Sequence, residues 1–315
     1  MDGPTVRLAG PVGVLRGGSP EPDVEVGSRK ARVLLALLAA RRGRPVPVQG
    51  IVEAVWPGGA PDRPPRAVAT LVSRLRATLG PEAVQKIPQG YRLGRPPAIH
   101  VDLDEAARLV AESRARADPR LAAAAGRAAC DLLGDGPALA GEPEADWVLD
   151  VRAEHAALLR AARQATGQGL LDAADPVAAA ELASAAVRAD RLDEAAHRLL
   201  MAAYQAAGEP ARALTVYERL RAALADELGV DPAPETRDVH LAVLAEAASP
   251  TTRLPGPDRG PVLAGRSAEV AALTRAGRRP RRGRAGCCWS PERAASARRG
   301  WPPSSRPWSG PPAAR

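Results

Sequence analysis

The chain has 315 residues, enough for two ordered domains at about 100–200 residues each. Its densest apolar run, VLLALLAA at 33–40, is far shorter than the roughly 18–20 residues that span a membrane. Two Lys against 42 Arg, with no Phe or Asn, indicate a GC-rich coding sequence, so abundant arginine alone says little about function. The three Cys, at 130, 287 and 288, lack the spacing of a disulfide framework or a metal site. The sequence predicts a cytoplasmic protein.

The net charge of +8 hides three unequal parts of the chain. Residues 1–95 have 15 Lys and Arg against 7 Asp and Glu, while residues 96–248 have 15 against 26. Residues 249–315 are basic again, with 14 against 3. A basic first part and an acidic middle are typical of a nucleic-acid-binding domain joined to a protein-binding domain.

The first part of the chain predicts strands followed by helices. TVRLAGPVGVL (5–15) and DVEVG (23–27) are short β-branched runs broken by Gly and Pro, which predict a small antiparallel sheet. Ser28 stands where a helix N-cap belongs, before apolar residues at helical spacing. A second helix is predicted over 48–56, and the Pro and Gly residues at 57–59 end it.

A third helix, predicted over 66–79, has two contrasting faces. Its apolar residues fall at i, i+3, i+4, i+7 and i+11, which predicts a buried stripe. The stripe consists of Val68, Leu71, Val72, Leu75 and Leu79. The other side carries Arg66, Thr70, Ser73 and Ala77, flanked by Ala69, Arg74 and Arg76. Small and polar residues let a helix approach base edges, and arginine can bond guanine through two hydrogen bonds.

After the stop at Gly80-Pro81, the segment AVQKIPQGYRL (83–93) predicts a strand, a tight turn and a second strand. Three helices followed by a hairpin make a winged helix-turn-helix, which places one helix in the major groove of DNA. The hairpin, or wing, brings Lys86, Gln89, Tyr91 and Arg92 near the DNA backbone. The alternative is that the arginines of the third helix form only a solvated face, and that Tyr91 packs inside the hairpin.

Residues 102–248 are almost continuously helical by pattern. The predicted breaks are Asp118-Pro119, 134–141, Asp175-Pro176, 208–210 and 229–234. Leu200, Tyr204, Ala213 and Tyr217 have the 4, 9 and 4 spacings of a tetratricopeptide helix pair. Stacked pairs of this kind form a concave surface for a protein partner. An all-helical domain without repeats is the alternative.

The chain resembles the Streptomyces antibiotic regulatory protein family, whose actinobacterial activators join an OmpR-type winged helix to a bacterial transcriptional activation domain. The resemblance covers about 5–248. The first domain matches through SRKARVLLALLAARRGRPV, IVEAVWPGGAP, RAVATLVSRLRATLGP and QGYRL. The second matches through HRLLMAAYQAAGEPARALTVYERLRAALADELGVDPAPETRDVH at 197–240.

The resemblance implies a transcriptional activator of biosynthetic genes. It implies binding to short direct repeats in double-stranded DNA as a dimer, and recruitment of RNA polymerase. Arg66, Thr70, Ser73 and Arg74 match positions of the family's recognition helix. We therefore expect a cytoplasmic, nucleoid-associated protein.

The last part of the chain departs from this pattern. LAGRSAEVAAL (263–273) resembles the start of the signal-transduction ATPase domain that larger family members have next. No P-loop follows, since no Lys occurs after Lys86, and we expect no ATPase activity. Back-translation of 287–301 with GC-rich codons, shifted by two bases, gives LLVAGEGGVGKTRL, which contains such a loop. This predicts a frameshift near 275–286. The alternative is that RRPRRGR (278–284) is a genuine basic tail that binds phosphates.

Together these observations predict a mainly α fold in three parts. A winged helix-turn-helix domain occupies 1–97, a tetratricopeptide-like helical domain 98–248, and a linker with a disordered tail 249–315. No cofactor, metal or enzymatic activity is expected, because the four His stand apart from paired acids and nucleophiles. The alternative functions are a helical-repeat scaffold and an inactive remnant of a larger ATPase regulator.

Overall fold

The computed structural model describes residues 3–16 and 26–248, which lie within one compact unit of residues 1–250. The predictions for the linker, the disordered tail, the frameshift and the RRPRRGR run all concern residues outside the described ones. The described part is mainly helical, with two small sheets near its start, as the sequence predicts. We call its residues up to Val101 the head and those from Asp102 to Ala248 the body.

Three helices form most of the head. They are α1 (Arg29–Ala40), α2 (Val48–Val55) and α3 (Pro64–Leu79). The bounds of α2 and α3 lie within two residues of the predicted ones. The predicted N-cap is confirmed, because the Ser28 hydroxyl accepts a hydrogen bond from the Ala31 N–H at 3.4 Å. The buried face of α1, including Leu34 and Leu38, packs in the same core as the apolar side of α2 and α3.

Five short strands complete the head. They are β1 (Thr5–Arg7), β2 (Gly13–Leu15), β3 (Val84–Ile87), β4 (Gly90–Leu93) and β5 (His100–Val101). The β3–β4 hairpin confirms the predicted wing, and β1 pairs antiparallel with β2 as expected.

The prediction for the first sheet needs two corrections. The sheet is mixed rather than antiparallel, because β5 joins it parallel to β1. A strand of two residues is too short to show an alternating pattern. Val26 and Gly27, the described residues of the predicted strand at 23–27, lie in no strand. Gly27 has φ +43°, a left-handed conformation that turns the chain into the N-terminus of α1.

Seven helices form the body. They are α4 (Asp102–Ala115), α5 (Pro119–Leu133), α6 (Asp146–Asp172), α7 (Pro176–Ala189), α8 (Glu194–Ala206), α9 (Pro210–Leu228) and α10 (Pro234–Ala248). All five predicted breaks fall at the junctions between helices, and four of them end on the proline that begins the next helix. Asp118 and Asp175 each cap the helix that follows, with side-chain oxygens that accept backbone N–H groups.

Consecutive helices of the body pack against each other. Leu200, Ala213 and Tyr217 are buried in one cluster between α8 and α9, and the half-buried Tyr204 packs against it. The approach of α5 to α6 is close enough to require glycine. A Cβ at Gly126 would lie 2.5 Å from the Thr166 hydroxyl oxygen. The body is therefore a stack of helix pairs, as the tetratricopeptide-like spacing predicts.

A buried carboxylate joins the head to the body. Asp102, the first residue of α4, is fully buried, and its Oδ2 accepts the N–H groups of Leu8 at 2.9 Å and Ala9 at 2.8 Å. Its Oδ1 accepts the N–H of Leu103 at 2.8 Å. Burial raises the pKa of the Asp102 carboxyl, against the three backbone donors and Arg7, which favour its charged form.

Arg42 forms a second link at the end of α1. Its guanidinium pairs with Asp104 on α4 and, at 2.9 Å, with Glu154 on α6. Arg42 has φ +48°, so a residue other than glycine adopts a left-handed backbone conformation there. Three elements of the chain thus meet at one guanidinium between head and body.

Candidate nucleic-acid interface

Helix α3 has the two faces that the sequence predicts. The stripe of Val68, Leu71, Val72, Leu75 and Leu79 is buried, and each such side chain stabilises the fold by about 1.5–3 kcal/mol. Pro64 and Pro65 occupy the first turn, where a missing N–H costs no helical hydrogen bond. The helix ends at Gly80, whose φ of +102° suits glycine. This packing fixes which side of α3 faces solvent.

The exposed side of α3 carries Arg66, Thr70, Ser73 and Arg74. The guanidinium groups of Arg66 and Arg74 form no ion pair or hydrogen bond with any described residue. The Thr70 hydroxyl donates to the Arg66 carbonyl at 2.9 Å, which leaves its oxygen free to accept. No acidic residue occupies the first turn of α3. This face offers hydrogen-bond donors and uncompensated positive charge to a polyanion.

Helix α2 packs against the buried side of α3. Ile51, Val52 and Val55 are the buried residues of α2, and they lie in the same core as the stripe of α3. Residues 56–63 connect the two helices, and the Lys30 ammonium lies 5.2 Å from the centre of the Trp56 ring. The half-buried Trp56 packs against the core.

The predicted wing residues occupy two different environments. Lys86 and Gln89 are exposed at or beside the turn of the hairpin, and their side chains have no partner among the described residues. Tyr91 is only 6% exposed and lies in the core of the head. Arg92 donates two hydrogen bonds to the Gln85 amide oxygen, at 3.0 and 2.9 Å. Lys86 and Gln89 are therefore the groups that the wing presents to solvent.

Arg76, the remaining predicted residue of α3, points toward the wing. It is half-buried, and its Nε–H donates to the carbonyl of Val84 on β3 at 2.8 Å. Its orientation differs from that of Arg66 and Arg74 because it lies at the shoulder of the helix, next to the hairpin. The helical periodicity of the sequence predicts that Arg76 lies at the edge of the exposed face. It does not predict the Val84 carbonyl that Arg76 contacts.

One basic residue beside this face of α3 was not among the predicted site residues. Arg63, the N-cap residue of α3, is exposed and lies one turn before Arg66. Its position directly before Pro64-Pro65, at the start of a basic helix, could have identified Arg63 from the sequence. Arg63 extends the positive face of α3 toward its N-terminus, where the helix dipole also favours anions.

The described residues contain no cluster of His, Cys, Asp and Glu that could hold a metal ion. None of the helices among these residues has the length and apolar character needed to cross a bilayer.

A helix-turn-helix with a wing, followed by stacked helix pairs, defines a two-part regulator architecture, and comparison with known families agrees. Residues 24–93 match the family model "Transcriptional regulatory protein, C terminal". Residues 101–244 match the model "Bacterial transcriptional activator domain". The two matches fall on the head and the body, respectively.

Two curated relatives align with 70–75% of the chain. The regulatory protein AfsR of Streptomyces coelicolor is 32% identical over 253 residues, which are 75% of this chain and 24% of AfsR. The transcriptional regulatory protein MoaR1 of Mycobacterium bovis is 30% identical over 248 residues, 70% of this chain and 74% of MoaR1. This chain therefore spans about a quarter of the length of AfsR and most of MoaR1.

A solved structure of Mycobacterium tuberculosis EmbR, in complex with a low affinity phosphopeptide, has a similar fold. The TM-score is 0.64 at 28% identity, over 77% of this chain and 65% of the EmbR chain. With both domain models in the same order and these relatives, the chain belongs to the Streptomyces antibiotic regulatory protein family of transcriptional regulators.

Proposed function

We propose that this protein is a sequence-specific DNA-binding activator of transcription, in which α3 enters the major groove. The observation that supports this proposal most is the unpaired state of Arg66 and Arg74 on the exposed side of α3. Exposed arginines of the body such as Arg108, Arg212 and Arg221 pair with acids three or four residues away, whereas these two pair with none among the described residues. Thr70 and Ser73 stand between them: the Thr70 oxygen can accept a hydrogen bond from a base, and the Ser73 hydroxyl can bond a base or a phosphate.

The wing then contacts the backbone beside the groove. Lys86 and Gln89 are the side chains that suit phosphate contact, because both are exposed and unpartnered among the described residues. Tyr91 and Arg92, which the sequence placed in the same set, support the hairpin from within in this proposal. Membership in a family of transcriptional regulators supports a regulatory rather than an enzymatic role.

The partners and target genes follow from family membership rather than from the geometry. We propose direct repeats as the DNA site, a homodimer as the bound form and RNA polymerase holoenzyme as the partner of the body. We also propose a nucleoid-associated location, a secondary-metabolite gene cluster as the target and the division into 1–97, 98–248 and 249–315 as the domain boundaries. The net negative charge of residues 96–248 supports a protein partner rather than DNA for the body.

The test is a selection of DNA fragments by the full chain from a library of genomic fragments. Enrichment of one repeated motif is the expected result, and in vitro transcription from an enriched promoter should increase when the protein is added. Recovery of fragments without a shared motif would overturn the sequence-specific part of the proposal. Specific binding without any increase in transcription would overturn the activator part.

A scaffold is the second candidate function, and the stacked helix pairs of the body favour it. In that case α3 contacts a protein, and the full chain selects no DNA motif. The same library experiment therefore separates the two candidates.

A further inference from the structure

Arg76 differs from the other arginines of α3 because its side chain already forms a hydrogen bond within the protein. Its Nε–H donates to the Val84 carbonyl at 2.8 Å, and this bond connects α3 directly to the first strand of the wing. Arg66 and Arg74, on the same helix, have no such bond with any described residue. A hydrogen bond from a charged donor is about twice as strong as a neutral one.

The Val84 carbonyl lies on the open edge of the hairpin. The Tyr91 carbonyl accepts the Val46 N–H at 2.8 Å, and the Tyr91 N–H donates to the Val46 carbonyl at 3.0 Å. Both backbone groups of Tyr91 therefore point away from the facing strand β3. In an antiparallel pair of strands, facing residues that hydrogen-bond each other alternate with facing residues whose backbone groups point outward. Val84 faces Leu93, two residues beyond Tyr91. Val84 therefore also turns its backbone groups away from β4, and Arg76 satisfies a carbonyl that its strand partner leaves free.

A second arginine stiffens the hairpin itself. Arg92 faces Gln85 directly in the register of β3 and β4, and it donates two hydrogen bonds to the Gln85 amide oxygen. Among the described residues, the Lys86 and Gln89 side chains of the wing have no partner. Two arginines thus hold the wing, and the groups beyond them face solvent.

We propose that Arg76 is a positioning residue: it fixes the wing against the C-terminal half of α3, so that wing and helix engage one DNA duplex together. This inference rests on the proposed function, because it assumes that both elements bind DNA. A wing that is already ordered loses less conformational freedom when it binds than a loose one. Loss of the Arg76 bond should therefore weaken DNA binding without removing any phosphate contact.

The variant Arg76→Lys separates positioning from phosphate contact. Lysine keeps the positive charge but places a methylene group where the Nε–H of arginine stands, so the donor to Val84 is lost at that point. If Arg76 binds phosphate instead, the charge of lysine keeps most of the affinity. Arg74→Lys is the matched control, because it makes the same chemical change on an exposed neighbour of the same helix.

The first measurement is hydrogen exchange of the wing amides, residues 84–94, in the full chain without DNA. Arg76→Lys should accelerate their exchange about fivefold, as the loss of one hydrogen bond does, and leave the amides of α1 unchanged. Arg74→Lys should exchange like the wild type. Unchanged wing exchange in Arg76→Lys would overturn the positioning role, whatever happens to DNA binding.

The second measurement is the salt dependence of binding to a selected DNA site. Arg76→Met, which keeps the apolar stem of the side chain and loses the charge, should weaken binding with the slope of log K against log salt unchanged. A slope smaller by about 0.9 would show that Arg76 itself neutralises a phosphate, and would overturn the inference. Failure of the wild type to select any DNA site would refute the proposed function, while the exchange experiment would still decide the link between helix and wing.

Discussion

Arginines have different neighbours in the two regions of this molecule. In the body, six of the fifteen arginines pair with acidic side chains, and four of them pair with an acid three or four residues away. Examples are Arg108 with Glu105 and Glu112, Arg212 with Glu209, and Arg221 with Glu218. The Arg108 guanidinium holds the pKa of Glu105 below its usual range. On α3 of the head, Arg66 and Arg74 have no acidic neighbour among the described residues.

The comparison shows why the number of arginines alone is a poor guide to function. Both regions have 15 basic residues, but 7 acids accompany them in residues 1–95 and 26 in residues 96–248. Positive charge that is already paired gains little from a phosphate, because a new ion pair must replace an existing one. Positive charge without a partner is available to DNA. The unpaired face of α3 is therefore the region where we expect binding.

The largest expected effect comes from removing that unpaired charge. The Arg66→Ala/Arg74→Ala variant should lose about 2–6 kcal/mol of binding free energy for a selected DNA site, at least about 30-fold in Kd. The two positions lie about 12 Å apart along the helix, so their effects should add. Fluorescence anisotropy with the selected duplex and with random duplex measures both the affinity and the specificity.

The matched control removes the same number of charges from the body. Arg108→Ala/Arg221→Ala should change Kd by less than about twofold, because these arginines are paired with acids and belong to the acidic region. Equal losses in the two double variants would mean that only total charge matters, and the comparison between the regions would fail.

A second variant breaks the link between the regions. Asp102→Ala leaves the buried N–H groups of Leu8, Ala9 and Leu103 without an acceptor, at about 1–3 kcal/mol each. We expect the free energy of unfolding in urea to fall by about 3 kcal/mol or more. Asp150→Ala, at an exposed position of α6, is the control and should stay within about 0.5 kcal/mol of the wild type. A loss below 1 kcal/mol for Asp102→Ala would mean that the carboxylate does not hold head and body together.

The same residue predicts a dependence on pH. Burial raises the pKa of Asp102 in the folded protein above the unfolded value of about 3.9. The folded state then binds this proton more tightly, so its stabilising contribution is complete at low pH and is lost as pH rises through the folded pKa. The free energy of unfolding of the wild type, minus that of Asp102→Asn, should fall as pH rises from about 4 and then level off. A difference that rises with pH would show that the three backbone donors outweigh the burial.

The smallest expected effect is that of one backbone contact at the wing. Lys86→Gln should weaken binding to selected and random duplexes alike, and reduce the salt slope by about 1. Lys30→Gln removes the other lysine of the chain, which lies over the Trp56 ring and lines a cleft between α1, α2 and residues 142–148. This variant should leave the slope unchanged. Loss of binding to the selected duplex alone would assign Lys86 to base contact instead.

Much of the fold could be predicted because it depends on local pattern. The apolar spacing of α3 defines its buried stripe, and the Asp-Pro pairs at 118–119 and 175–176 mark helix starts. The exposure of Arg66 and Arg74 follows from the same spacing. Local pattern does not determine which distant group a side chain meets. Arg76 finds a carbonyl on β3 only because the hairpin folds back beside it, and nothing near Asp102 in the sequence distinguishes it from the half-exposed Asp104.

The same limit explains the corrections. The strand β5 exists because two residues happen to lie beside β1 in the folded head, which no alternation in the sequence could reveal. Tyr91 and Arg92 belong to the hairpin as predicted, but their surroundings depend on the neighbouring Val46 and Gln85.

The most direct test of the proposed DNA contact is footprinting of the full chain on a promoter fragment at two salt concentrations. If the unpaired face of α3 contacts base edges, two evenly spaced direct repeats should be protected, and the protection should persist at the higher salt. Weak, uniform protection that disappears at the higher salt would contradict this account, because it would show that the arginines bind phosphates without regard to sequence.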